Sequence, residues 1–203
     1  MKGGIAAILA AIQTIREVDV ELKNDLMVAF YVDEEAGMAA GAKFIAETGL
    51  TKRVRAAIEA EPSDLMILAS FKGRTVYQIT VKGRATHTSH PERGVNAIHK
   101  TARIISLLRE TGLRWKPHPY VGDCLLSFTG IEGGMPGTNP TIPDTCIAVV
   151  EVRMVPGQNV ESVKEEIEGI LKESKTEDPE LEAEVNVLKA GNPVELSEED
   201  NLV

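Results

Sequence analysis

Carboxylates gather at two places in this sequence, at Asp33-Glu34-Glu35 and again at Glu59-Ala60-Glu61-Pro62-Ser63. Neighbouring like charges repel unless something positive lies between them, and a bound cation is the simplest candidate. Carboxylates bind zinc, usually alongside histidine. With Glu35 and Glu61 on metal, Glu34 stays free as the base that takes a proton from a water held there. The competing reading is an acidic turn that caps the next helix, because carboxylates favour a helix N-terminus. One acid would serve that purpose.

Each acidic group follows a stretch that should be a strand. Residues 26–32 are continuously apolar and too short for most helices, which predicts a strand buried on both faces of a parallel sheet. Residues 54–60 predict a second short strand. In open α/β sheets ligands bind beyond the C-terminal strand ends, so Glu35 and Glu61 would point into one crevice. Ile5, Ile8, Leu9, Ile12 and Ile15 recur at helical spacing over residues 3–18. Met38, Ala42 and Ile45 do the same over 37–48, where Gly49 stops the helix. Residues 65–70 predict a further strand.

The pattern changes near Gly73. Tyr77, Ile79 and Val81 alternate over 76–82 as in a half-buried strand. A helix is predicted over 92–111, strands over 124–131 and 145–152, a helix over 159–174 and a strand over 181–188. This β-α-β-β-α-β order is the ferredoxin-like arrangement. The expected fold class is therefore α/β. A partial layered α/β catalytic domain (1–73) precedes an inserted α+β ferredoxin-like domain (74–188), and residues 189–203 form a return linker.

Composition narrows the partners. The chain has 203 residues, 43% hydrophobic, and a net charge of −9 with no basic stripe. Nucleic acid and anionic membrane surfaces are poor partners for such a chain. No apolar run approaches the length of a membrane span, and the opening residues lead into an amphipathic helix, not a signal-peptide core. Cys124 and Cys146 make no disulfide framework and are expected to be reduced and buried. The expected compartment is the cytoplasm.

Five motifs stand in order: Met1-Lys2-Gly3-Gly4; Asp33-Glu34-Glu35 with Gly37; Glu61-Pro62-Ser63; Gly83-Arg84-Ala85-Thr86-His87-Thr88-Ser89-His90-Pro91 through Gly94-Val95-Asn96-Ala97-Ile98; and Gly133-Gly134, Asn139, Pro143-Asp144 and Glu151-Val152-Arg153. Together they closely resemble the co-catalytic zinc family of succinyl-diaminopimelate desuccinylase, acetylornithine deacetylase, aminoacylase and glutamate carboxypeptidase. The resemblance implies that Glu34 is the general base, and that Glu35 and Glu61 are ligands of the two zinc ions, which cobalt can replace. It implies that His87 reaches from the lid domain of a homodimer into the partner's active site to hold the scissile carbonyl. Asn139 and Arg153 would bind substrate, the arginine gripping a carboxylate with its planar fork. Glu151 stands where the family usually has aspartate, and Ala60 where it commonly has glycine.

Without the resemblance His87 reads as a solvated turn histidine, Asn139 as a turn former and Arg153 as a surface charge. His90 and His99 lie near His87 with irregular spacing, and His118 between two prolines reads as a loop residue. The family's bridging aspartate, its His-x-Asp motif and its last zinc histidine have no counterpart in these residues. The resemblance thus implies a fragment lacking both ends, belonging to a metal-dependent amide hydrolase for N-acyl amino acids or small peptides and inactive as given. The alternative, from another class, is a non-catalytic dimerisation or small-ligand-binding module.

Overall fold

The computed structural model describes residues 2–34, 39–137 and 139–196. It divides into two compact units, Met1–Ile67 and Leu68–Asn201.

In the first unit, helix α1 (Lys2–Glu17) and helix α2 (Ala40–Glu47) form where apolar spacing predicts them, and a 3-10 turn at Leu50–Arg53 follows. The strands expected at 26–32, 54–60 and 65–70 are absent among the described residues, apart from Ser70 at the start of the next unit. Their apolar side chains are exposed instead: Phe30 is 57% accessible, Val32 71% and Ile58 91%. An apolar run supplies the side chains of a buried strand but not the neighbouring strands it must bond to, and none pairs with it here. Among the described residues the two stretches are linked by the Tyr31 hydroxyl, which donates to Glu59 Oε1 at 3.1 Å. Described residues on either side of the acidic group bond to each other. Ala39 N donates to the Asp33 carbonyl and Gly41 N to the Val32 carbonyl, with Asp33 at φ +65°. Gly41 is required there, because a Cβ would lie 2.6 Å from the Val32 oxygen.

The second unit opens with the short strand β1 (Ser70–Phe71) and the long strand β2 (Gly73–Lys82), followed by β3 (Thr86–His87) and helix α3 (Ala97–Thr111). Then come β4 (Leu125–Gly133), β5 (Thr141–Ile142), β6 (Thr145–Met154), helix α4 (Val160–Glu177), β7 (Glu182–Lys189) and β8 (Val194–Glu195). The main sheet has the order β4-β6-β2-β7, antiparallel throughout. Alternation explains its core. In β2 the side chains of Thr75, Tyr77, Ile79 and Val81 are fully buried, and opposite them Ala148, Val150 and Val152 of β6 are too. Both helices bury their stripes in that same layer, α3 through Ile104 and Leu108, α4 through Val163, Ile167, Ile170 and Leu171. Two crossover helices on one face of a four-stranded antiparallel sheet make this a ferredoxin-like domain, and the chain as a whole is of the α/β class.

Helix ends are set by local chemistry. The α3 helix starts at Ala97, later than the predicted residue 92, because the Asn96 side chain accepts from the amides of Ile98 and His99. Residues Pro91–Arg93 form a separate 3-10 turn. In α4, Asn159 and Ser162 cap each other reciprocally, Ser162 N donating to Asn159 Oδ1 and Asn159 N to Ser162 Oγ. Cys146 is buried as expected, whereas Cys124 is only half-buried at the sheet edge; both are free thiols.

Tyr77 ties the sheet to α4, its fully buried hydroxyl donating to the Val160 carbonyl at 2.8 Å. Burial pushes its phenol from the ordinary 10 up to about 12. The folded state therefore keeps this proton where the unfolded chain has lost it. The stabilisation is complete below pH 10 and is lost as pH rises from 10 to about 12, at roughly 1.4 kcal/mol per unit. Replacing Tyr77 with Phe should cost about 1–3 kcal/mol at neutral pH, since a buried carbonyl loses its donor, yet should flatten the alkaline decline. Urea unfolding at pH 8 and pH 11 checks both effects. Equal alkaline losses in the two proteins would contradict the assignment.

Candidate functional site

The first unit collects acids around one phenol. Burial raises the Tyr31 pKa first, then the charge of Glu59 and the hydrogen bond to it, then the charges of Glu61 and Glu34. The field of three carboxylates thus reaches one hydroxyl, although the strands expected to carry them make no ladder. Glu34 stands in the turn after Asp33, and Glu61 precedes Pro62 and the turn in which the Ser63 hydroxyl donates to the Met66 carbonyl at 2.6 Å. Glu35 lies outside the described residues. The donors present are carboxylate oxygens, which usually hold zinc with imidazole beside them. Among the described residues no three of His, Cys, Asp and Glu come together as a metal cluster. The described residues alone therefore do not make up a zinc site, and Glu34 and Glu61 stand there as carboxylates without imidazole partners.

The second unit carries the other polar residues singled out above, apart from the acidic turn. Its motif begins at Gly83, whose amide donates to the Asp144 carbonyl at 2.8 Å. A side chain at Gly83 would run into the Val95 carbonyl oxygen, because Arg84 and Val95 pair here as an isolated bridge. That crossing leads the chain into β3, which pairs with β5 so that His87 faces Thr141 and Thr86 faces Ile142. Thr88 N adds a bond to the Pro140 carbonyl at 2.8 Å. Asn139 is next to that proline, its Oδ1 accepting from the Thr141 hydroxyl at 2.8 Å. The β3–β5 ribbon thus brings His87 and Asn139, distant in sequence, to one edge of the second unit.

Arg153 stands elsewhere. Thr145 at the start of β6 is eight positions before it, roughly 27 Å of strand at 3.4 Å per residue. Its Nε donates to Glu151 Oε1 at 2.8 Å, and Arg74 of the adjacent strand donates to Glu151 Oε2 at 2.9 Å. The Arg74 hydrogen bond above all holds the Glu151 carboxyl below its ordinary range; burial opposes it, and the charges of Arg153 and Arg74 add smaller lowering effects. A carboxylate between two guanidiniums on neighbouring strands orients both, and among the described residues Arg153 meets it through Nε. Alternation along one strand puts Glu151 and Arg153 on the same face. Only the register with β2 could add Arg74.

The remaining histidines sort by their partners. His90 lies 3.7 Å from Glu92. His99 is on α3, and its amide donates to the helix cap. His118 is held more firmly than a loop residue need be. Its Nε2 is 2.8 Å from Glu195 Oε1, and its Nδ1 accepts from the amides of Tyr120 and Val121. Sequence reasoning missed Ser89, whose amide and hydroxyl both meet His87 Nδ1, at 3.1 and 2.8 Å. The signal was present: a hydroxyl residue two positions after a turn histidine commonly bonds back to its neighbours.

Comparison with known proteins extends this geometry. Residues 70–179 match a family model described as a peptidase dimerisation domain. The chain is 33% identical over 198 residues to an acetylornithine deacetylase of Myxococcus xanthus, covering 95% of this chain and 50% of that protein. It is 28% identical over 170 residues to the uncharacterized protein YgeY of Escherichia coli, covering 83% of this chain and 41% of that one. Among solved structures, the aminopeptidase PepT of Bacillus cereus superposes with a TM-score of 0.69 at 19% identity, over 98% of this chain and 51% of its own. A tripeptidase of Staphylococcus aureus gives 0.68 at 22%, over 98% and 50%. At such identities the structures speak for a shared fold alone. The chain spans about half the length of the curated relatives it matches. No helix among the described residues is long and apolar enough to cross a membrane.

Proposed function

The chain belongs to the peptidase dimerisation domain family, and from that premise we propose that it serves a metal-dependent amide hydrolase acting on N-acyl amino acids or small peptides. The observation that carries this reading is the likeness to a deacetylase over 95% of the chain, which takes in the acidic turn at Glu34 as well as the lid. Glu35 and Glu61 would each hold one of two zinc ions, or cobalt in their place. When bound, such ions polarise a carbonyl and lower the pKa of a water. Glu34 takes the proton of the attacking water and delivers it to the leaving amine. His87 and Asn139, together on the β3–β5 edge, hold the carbonyl oxygen, and Arg153 receives the substrate carboxylate on its Nη groups. Residues 74–188 act as the lid of a homodimer, through which His87 serves the partner's site. Sedimentation at high micromolar concentration should give a dimer, and a strict monomer would contradict that part.

The test of the reaction is hydrolysis of acetyl- and succinyl-amino acids and of di- and tripeptides, with zinc or cobalt supplied. Amine release that requires the metal is expected of a protein in which these residues have a complete ligand set. The 203 residues alone should give none, since Glu35 and Glu61 by themselves leave each ion ligated mostly by water. The second reading, a non-catalytic dimerisation or small-ligand-binding module, is favoured by the family description itself. Metal-dependent turnover would exclude it.

A further inference from the structure

His87 Nδ1 meets two groups of one residue, the Ser89 amide at 3.1 Å and the Ser89 hydroxyl at 2.8 Å. A backbone N–H can only donate, so Nδ1 presents its lone pair. The hydroxyl can play either role, and opposite a lone pair it donates. In the neutral ring the proton is then on Nε2. Nε2 itself makes no hydrogen bond among the described residues, and the His87 side chain is exposed. The backbone fixes the turn that does this from both sides. Thr88 N donates to the Pro140 carbonyl at 2.8 Å and His90 N to the His87 carbonyl at 2.9 Å.

We infer that Ser89 is the positioning residue that holds His87 in its Nε2–H tautomer, so that the ring offers a hydrogen-bond donor to a substrate carbonyl oxygen. The use of that donor rests on the amide-hydrolase reading; the tautomer does not. The opposite tautomer would turn a lone pair toward the same oxygen and repel it. No electron or group is transferred, and the ring keeps its proton while the oxygen gains negative charge. Asn139, whose Nδ2 among the described residues makes just a 3.9 Å approach to Met135 Sδ, would give the second donor at that oxygen.

Two measurements test this. Nitrogen NMR of the labelled 203-residue chain reads the tautomer directly, with His87→Ala used to assign the ring signals. The wild-type ring should show Nε2 protonated and Nδ1 bare. In Ser89→Ala the Nδ1 signal should move part of the way toward the N–H position, because the amide donor remains, and Ser89→Thr should restore it. In a metal-loaded active protein carrying these residues, Ser89→Ala should lower kcat by roughly two- to tenfold with little change in KM, the loss expected of one neutral hydrogen bond. The threonine variant should recover it. A wild-type ring protonated on Nδ1, or a tautomer indifferent to Ser89, overturns the inference. A tautomer that moves while kcat does not overturns the donor role, and leaves the hydrolase reading standing. Absence of turnover in the wild type sinks the hydrolase reading, and the NMR result still decides what Ser89 does.

Discussion

Glu34→Gln in an active, metal-loaded protein containing these residues is expected to lower kcat by about 10²–10⁴-fold, the range general-base catalysis contributes. Glutamine keeps the shape of the side chain but has no carboxylate to receive the proton of the attacking water. Because Glu34 is assigned no part in binding substrate, KM should change little. Folding has its own readout here. The Glu34 charge is one of those raising the Tyr31 phenol pKa, after burial and the effects of Glu59 and Glu61. In Glu34→Gln the ultraviolet titration of Tyr31 should move toward the ordinary tyrosine value while circular dichroism stays the same. An unchanged kcat with that titration shifted would remove Glu34 from the mechanism. The role of base would then have to pass to another acid of the cluster.

The largest effect on stability should come from Ile167→Ala. Ile167 lies in α4, fully buried in the core shared with Tyr77, Ile79 and Val150. Removing its branched side chain loses the transfer free energy of the missing atoms and leaves a cavity that sheet and helices only partly close. Substitutions of this kind cost about 2–5 kcal/mol, which for a domain of this size lowers Tm by roughly 10 °C or more. Ile131→Ala on the edge strand β4, where the side chain is 58% exposed, should stay within about 0.5 kcal/mol. Thermal unfolding of the two variants side by side checks the contrast. Equal shifts would mean that the helix layer is not the core of the lid.

The lid was legible in the sequence because its signals are local. Alternation at Tyr77, Ile79 and Val81 and the helical stripe through Val163, Ile167 and Ile170 each reside within a few residues, and burial follows them closely. The acidic turn was legible for the same reason, as adjacent carboxylates need no structure to be noticed. The roles of Glu34, His87, Asn139 and Arg153 came from resemblance, since none of these residues alone departs from an ordinary turn or surface residue.

Tertiary structure decided the rest. Residues 26–32 have the composition of a buried strand, yet a strand is a relation between segments, and no partner bonds to it among the described residues. Two-residue strands such as β3 and β5 have no period to read, so the ribbon that unites His87 with Asn139 exists only through the pairing of distant residues. Arg74 reaches Glu151 through the register of β2 on β6, which depends on every pair along the ladder. The proton on His87 is decided last and most locally. Sequence places a serine two residues away, but only the fold of the turn makes its amide and its hydroxyl converge on one nitrogen.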